Sequence, residues 1–415
     1  MTQLIKEAII IHDGSKYHLT KKDILIENGK IVAIEDSIPS EGNEVIAGHR
    51  LYCSIGLFDI GTSTGDPGFE HRESMDTLTQ SALAGGYTGL AVFPTNKPVT
   101  QSKSEIKYLK NHPDRNNVSI YPIGALSKDL KGEDIAEYWD MQHAGAVGFG
   151  DGLLSIQDTS LMSRALLYAT QMDAVIIHHP TDKYLSYGGE MHEGEISTSL
   201  GLKGIPDIAE SQMVQRDLSL MEYNRGKILE HAISAAKSVQ LIKQAKETTG
   251  NIYASVAYLN LLLSDHDLSD FDSNLKVNPV LRCPSDRTKL ISGVKDGTID
   301  IIISNHVPLD DEQKNVEFPY ALSGASGLET CLAACLTELS DVLDTHVIIH
   351  KMTIVPRMML NIPIPLIEVG QIADLCIFDM DCPWLFEKIN RKSKSSNYPW
   401  HGKEFKSKVV RTIIG

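Results

Sequence analysis

The sequence predicts an α/β protein in which a closed (β/α)8 barrel of parallel strands carries a small β domain assembled from both chain ends. Three observations support this. The middle of the chain alternates apolar runs with amphipathic segments about eight times, which suits a closed barrel better than an open sheet. The two ends share a different texture, short β segments punctuated by turns. The chain has 415 residues, 42% hydrophobic and 22% charged, enough to fill one large core with a satellite beside it.

The N-terminal part of the small domain is expected over 1–52. EAIIIHDGSK, DILIENGKIVAIED and NEVIAGHRLYC read as strands, with Asn28-Gly29 as a hairpin turn between two of them. The barrel follows over 53–365. Its first run, GLFDI, ends at Asp59 and opens into the small-residue loop GTSTG, after which DTLTQSALAGG has a helical pattern. TGLAVFP, VSIYPIGAL, AVGFGDG, AVIIHHP, KILEHAIS, NIYASVA and DIIISNHVP supply the remaining strands. Functional groups in such a barrel stand just after the strands, here near 59–65, 94–96, 150–152, 178–179, 231, 255 and 304–306. Residues 366–415, with ADLCIFDMD and KVVRTIIG, return to the small domain. The polar KINRKSKSSNYPWHGKEFKSK between those two runs reads as the most mobile loop.

Composition narrows the function. A formal charge of −15 and a pI near 5.4 argue against nucleic acid or an anionic membrane as the main partner, since both require a basic face. The first residues lack the apolar run of a secretory signal, and no stretch has the length of a membrane helix. The six cysteines, Cys53, Cys283, Cys331, Cys335, Cys376 and Cys382, are dispersed without a CxxC pair. They read as free thiols in a reducing cytosol, so a cytoplasmic protein is expected.

Chemistry could gather at several strand ends. His178 closes AVIIH and His231 closes KILEH, and two neutral imidazoles at separate strand ends can converge on one metal. Structural hydrogen bonding is the plainer role for each. Asn305-His306 ends DIIIS, where a carboxylate could take a proton from metal-bound water and an asparagine cannot. Asp151 follows GAVGF and reads as a turn or cap residue. Asn278-Pro279 and Arg282 could face an anionic or amide-bearing ligand, although Arg282 also suits a role in fixing its own loop. No GxSxG elbow, P-loop or dinucleotide fingerprint stands where one would be needed.

The blocks GLFDIGTSTGDPGFEHRE, AGGYTGLAVFPTNKPV, GAVGFGDG, YGGEMHEG, GLKGIPDIAES, NLKVNPVLRCPSDR, DGTIDIIISNHVP and SGASGLET, in this order, resemble the dihydroorotases of the amidohydrolase superfamily. The type resembled is the one that associates with aspartate transcarbamoylase. The resemblance implies a TIM-type barrel of the metal-dependent hydrolase kind, a small β-sandwich formed by the terminal segments, and a place in pyrimidine biosynthesis.

It also implies which groups are missing. The family's first strand reads Asp-x-His-x-His-x-Arg, and here Asp59 stands in frame while Gly61 and Ser63 replace the histidines and Gly65 the arginine. Pro94-Thr95-Asn96 stands for Pro-Asn-Thr, the metal-bridging acid falls on Gly152, the general base on Asn305, and a substrate-binding histidine on Leu309. By resemblance His178 and His231 survive from the metal set and Asn278 from the substrate set, with Asp151 one residue away from joining them. The expectation is a catalytically inactive, dihydroorotase-like pseudoenzyme with a degenerate metal site and no cofactor, a structural or regulatory partner of aspartate transcarbamoylase. The alternative is an active amidohydrolase on dihydroorotate or another cyclic amide, with a single zinc on His178, His231 and Asp151. A homo-oligomer is expected, without nucleic acid or membrane.

Overall fold

The computed structural model describes residues 2–415. Both chain ends build one seven-stranded sheet. From the N-terminal side come β1 (Thr2–Ile11), β2 (Lys21–Glu27), β3 (Lys30–Glu35), β4 (Glu44–Ile46) and β5 (Leu51–Ile55). The β2–β3 turn needs two consecutive residues in the left-handed region, and Asn28 (φ 47°) and Gly29 (φ 75°) supply them. Gly29 has a second duty: a Cβ there would lie 2.7 Å from Cα of Gly415, so the chain's last residue can approach only a glycine.

At Gly56 the chain leaves this sheet and enters the barrel. Its strands are β6 (Leu57–Thr62), β7 (Tyr87–Val92), β8 (Ser119–Pro122), a short stretch at Phe149, then β9 (Val175–His178). A two-residue ribbon follows β9, made of β10 (Met191–His192) and β11 (Gly204–Ile205). β12 (Lys227–Glu230), β13 (Ile252–Ala257) and β14 (Ile301–Ile303) complete the barrel. The ladders β6–β7–β8 and β9–β12–β13–β14 are parallel, and Phe149 links them by parallel bridges to Gly124 on one side and Ile176 on the other. Helices run between the strands. Then β15 (Asp374–Asp379), the pair β16 (Trp384–Leu385) and β17 (Glu404–Phe405), and β18 (Lys408–Ile414) follow, and β15 and β18 finish the terminal sheet. Its order is β18-β15-β5-β1-β2-β3, with β4 on β1.

Asp59 joins the last strand to the first. Its carboxylate accepts hydrogen bonds from Ser304 N (2.8 Å), Ser304 Oγ (2.7 Å) and Thr62 Oγ1 (2.6 Å). Ser63 N adds a bond to His306 O at 2.9 Å. Asp59 is fully buried; burial pushes its carboxyl up, and the hydrogen bonds oppose that shift. The interior is filled by Phe58, Ile60, Phe93, Ile123, Val175, Ile177, Leu229, Ile301 and Ile303.

The segment read as the most mobile loop is pinned over the barrel instead. Glu329 accepts from the main-chain N–H groups of Lys392 and Ser393 and from the Tyr398 hydroxyl. Glu73 binds Ser393 Oγ and Lys394 N. Tyr398 and Trp400 are buried, the latter donating its indole N–H to Tyr258 Oη at 2.9 Å. The polar composition that suggested mobility serves buried carboxylates contributed from far away in sequence. Among the described residues no helix is long and apolar enough to cross a membrane. All six cysteines are unpaired, four of them buried.

Candidate functional site

β9 and β12 lie side by side with His178 opposite Glu230. Side chains alternate across a strand, so each strand has an inner and an outer set. Val175, Ile177 and Leu229 join the barrel interior, whereas Ile176 and Ile228 join the layer between strands and helices. By that parity His178 and Glu230 face the helices, and His179 and His231 face the interior.

This corrects the role expected of His178. Its Nδ1 lies 2.6 Å from Oδ2 of Asp217, on the helix Ile208–Asn224. Its Nε2 accepts the main-chain N–H of Ile156 at 2.9 Å, with Ser155 Oγ at 3.1 Å. Since Nε2 accepts, Nδ1 carries the proton and donates it to Asp217. Arg216 completes the network with two bonds, 2.8 and 2.6 Å, to the other Asp217 oxygen. Both ring nitrogens are used, and neither can bind a metal without breaking these bonds. His178 ties the loop at 155–156 to the strand and helix beneath it.

The inward pair is less well satisfied. His179 places Nδ1 3.2 Å from His231 O, and Nε2 3.2 Å from both Asn278 Oδ1 and Thr181 Oγ1. His231 has one polar side-chain neighbour, Ser255 Oγ, 3.3 Å from Nδ1, and its buried Nε2 has none. Burial depresses both imidazoles, that of His231 to about 3. They stand neutral. Opposite His231 lies Gly61, at φ +86° beside an irregularity in the β6–β7 pairing. A Cβ on Gly61 would sit 2.5 Å from Cε1 and 2.7 Å from Nε2 of His231, and 2.8 Å from Phe93. The imidazole fills the space into which a side chain at 61 would project. The position expected to bear arginine is equally closed, for a Cβ on Gly65 would meet Glu73 O at 2.2 Å and Phe69 O at 2.5 Å.

Asp151 does not join the histidines. Its Oδ1 accepts from Leu126 N (2.7 Å) and Ser127 N (2.9 Å), while Oδ2 binds Ser127 Oγ. Gly152 has φ +67°, and a Cβ there would be 2.7 Å from Thr95 Cγ2. Asn305 donates Nδ2 to Asn278 O at 2.9 Å and leaves its buried Oδ1 without a partner. Leu309 is held under the C-terminal segment through its main-chain N–H and Ser395 Oγ. The trio His178, His231 and Asp151 therefore does not form a zinc site: one faces outward and one is spent on main-chain amides. His179 and His231 remain as two imidazoles, one fewer than the three protein ligands usual for catalytic zinc. Among the described residues two groups of three potential ligands come together, and neither contains His231, His179 or Asp151.

A cleft of about 610 Å³ opens above His179 and Asn278, bordered also by Thr181, Ser155, Lys131 and Lys183. A second, of about 370 Å³, lies over Ser63, Gly65, Arg72 and Phe93. Leu130, Leu153 and Leu154 border both. Polar groups thus line the barrel mouth in a space suited to a small molecule.

A family model described as dihydro-orotase-like matches residues 53–234. A protein named dihydroorotase from Pelotomaculum thermopropionicum is 38% identical over 417 residues, covering 100% of this chain and 97% of its own. Another of that name, from Syntrophus aciditrophicus, is 36% identical over 94% and 93% of the two chains. The chain belongs to the dihydroorotase family. Solved structures of the L-hydantoinase from Arthrobacter aurescens (TM-score 0.85, 21% identity, 100% and 95% coverage) and the dihydropyrimidinase from Brevibacillus agri (0.80, 20%, 99% and 93%) share its fold.

Within this dihydroorotase-family barrel, sequence reading found the strand ends but missed His179, the histidine that borders the cleft. Alternation alone says that His178 and His179 face opposite sides. It does not say which faces in, because AVIIHH is apolar on both faces, as strands buried on both sides are. Glu73 and Glu329, which anchor the C-terminal segment, carried no signal.

Proposed function

We propose that this dihydroorotase-family chain no longer hydrolyses dihydroorotate at its barrel mouth, and serves as a structural or regulatory partner of aspartate transcarbamoylase. The observation that carries the first half is the His231 imidazole standing against Gly61. A metal ligand projecting from position 61 would collide with it, and nothing nearby replaces that ligand. The positions matching the family's general base and carboxylate clamp are Asn305 and Gly65, neither of which can act as one. Losses of this kind typically reduce rates by ~10²–10⁴ each, although not additively. The partnership rests on the type of dihydroorotase that the sequence blocks resemble, together with a frame kept intact around an altered site.

A second reading has its own support. Relatives matched along almost the whole chain are named dihydroorotase, and His179 and Asn278 border the cleft with His231 buried beside them. On that reading the chain is an active cyclic amidohydrolase whose inward histidines recruit metal after His231 turns. Dihydroorotate hydrolysis and carbamoyl-aspartate cyclisation, measured with and without zinc beside the Pelotomaculum relative, separate the two. Turnover within a hundredfold of that relative, abolished by His179→Ala, would establish the second reading. No turnover, together with recovery of the transcarbamoylase from the chain's own cells, is the outcome expected here; repeated recovery without it would remove the partner half.

A further inference from the structure

Away from the two inward histidines, a different set of ligand types meets. His192 ends β10 in the ribbon after β9. Cys283 and Asp286 open the helix Pro284–Asp296. One ligand atom from each lies within 4.8 Å of the other two. The Cys283 thiol is 3.0 Å from Asp286 Oδ2 and 2.9 Å from Ser285 Oγ. The set is nitrogen, sulfur and oxygen from two loops far apart in sequence.

Helix capping does not account for the cysteine. Cys283 occupies the N-cap, where Ser, Thr, Asp or Asn would bond the first turn, and its side chain makes no such bond. Asp286 directs its other oxygen away, accepting Ala236 N at 2.7 Å. A fourth group stands nearby. Asp265 is buried; its Oδ1 has no hydrogen-bond partner and lies 4.0 Å from His266 Nε2, and its main-chain N–H bonds Arg282 O at 3.0 Å, next to Cys283. Asp265 Oδ2 and His192 Nε2 lie 4.0 and 3.8 Å from the point where a Cβ on Gly194 would stand, so both border the same small space.

The neighbouring cation is already engaged. Arg282 donates to Ser234 Oγ at 3.0 Å and to Ile205 O at 2.9 Å, and lies 3.9 Å from Glu210; its contact with His192 Nδ1 is long, at 3.4 Å. The helix N-terminus disfavours a cation but favours the thiolate that would bind it.

We propose that His192, Cys283 and Asp286 form a site for a divalent cation of the zinc class, with the fourth position left to water. The bound cation would pin the loop after β9 to the helix that follows the β13 loops. Thiolate with imidazole selects zinc over magnesium or calcium. The three ligand atoms, within 4.8 Å of one another, must close by up to about 1 Å to share one zinc ion, within the reach of side-chain rotation.

The full chain, stripped with chelator, is titrated with cobalt(II) and followed by near-ultraviolet absorption. One cobalt per chain with a sulfur-to-cobalt charge-transfer band is expected, and added zinc should bleach it. Cys283→Ser should abolish the band, and His192→Ala should weaken cobalt binding at least tenfold. Cys382→Ser and His231→Leu should leave the band unchanged. Serine is a good N-cap, so Cys283→Ser should fold, as circular dichroism checks. Absence of a sulfur band in the folded chain at millimolar cobalt, or a band that survives Cys283→Ser, overturns the site. Because the inward pair holds no sulfur, this readout is independent of whether dihydroorotate is turned over.

Discussion

The two faces of β9 and β12 make opposite use of adjacent residues. On the outer face His178 is bonded at both nitrogens and Asp217 is held by Arg216. On the inner face His231 keeps a buried nitrogen without any partner, and His179 reaches only long contacts. The histidine that ties elements together has both nitrogens bonded; the inward one does not. The outer face has its own exception in Glu230, fully buried, with neither oxygen bonded. Burial, with Asp217 alongside, pushes its carboxyl far up, so it stands protonated.

The largest test strikes the saturated face. Asp217→Ala strips Arg216 and His178 of their shared partner, and urea unfolding should show a loss of about 3–5 kcal/mol. A loss under about 1 kcal/mol would mean that the network is ornamental and the contrast between faces misplaced.

Restoring a histidine on the inner face should also harm the fold. Gly61→His places a side chain at a left-handed φ, costing about 1–2 kcal/mol, and against the His231 ring, adding about 1–3 kcal/mol. The double variant Gly61→His, His231→Ala should recover part of this. If the single variant is as stable as the parent, His231 turns aside easily and the second functional reading gains.

A smaller effect should appear with pH. The folded pKa of His231 lies near 3, below the 6.5 of a free imidazole. Only the unfolded chain takes the proton between those values. The contribution is therefore complete above pH 6.5 and is lost as pH falls toward 3, reaching about 2 kcal/mol at pH 5. Comparing unfolding midpoints at pH 5 and 7.5 for the parent and His231→Leu measures it; an unchanged slope in the variant assigns the effect to another group, His179 first.

Smallest of all, Glu230→Met removes an unbonded carboxyl at similar volume and should raise stability by about 1–2 kcal/mol. An unchanged midpoint would show that the carboxyl has a partner, such as a bound water.

Much of this was legible beforehand. The Asn28-Gly29 hairpin, the alternation of runs and the β-rich ends each follow from local chemistry: left-handed turn residues, hydrophobic period and β-branched content. The small residues of the loop 61-GTSTG-65 were visible in the chain itself. What stayed hidden were choices made between distant residues. Ser393 and Tyr398 sit in a polar tract that reads as a solvated loop, yet they satisfy Glu73 and Glu329, which are near them only in space. Asp151 looked like a turn residue or a ligand, and the amides that claim it belong to 126–127.

By itself, the sequence determined the barrel, the dihydroorotase family and the absence of histidines at 61 and 63, because composition, period and motif are properties of the chain read in order. Only the tertiary structure decided that His179 and not His178 faces the cleft, that His231 closes the space beside Gly61, and that His192, Cys283 and Asp286 meet. A strand buried on both sides carries no polar face to orient it, so its inner and outer residues are told apart only by what the rest of the fold packs against them.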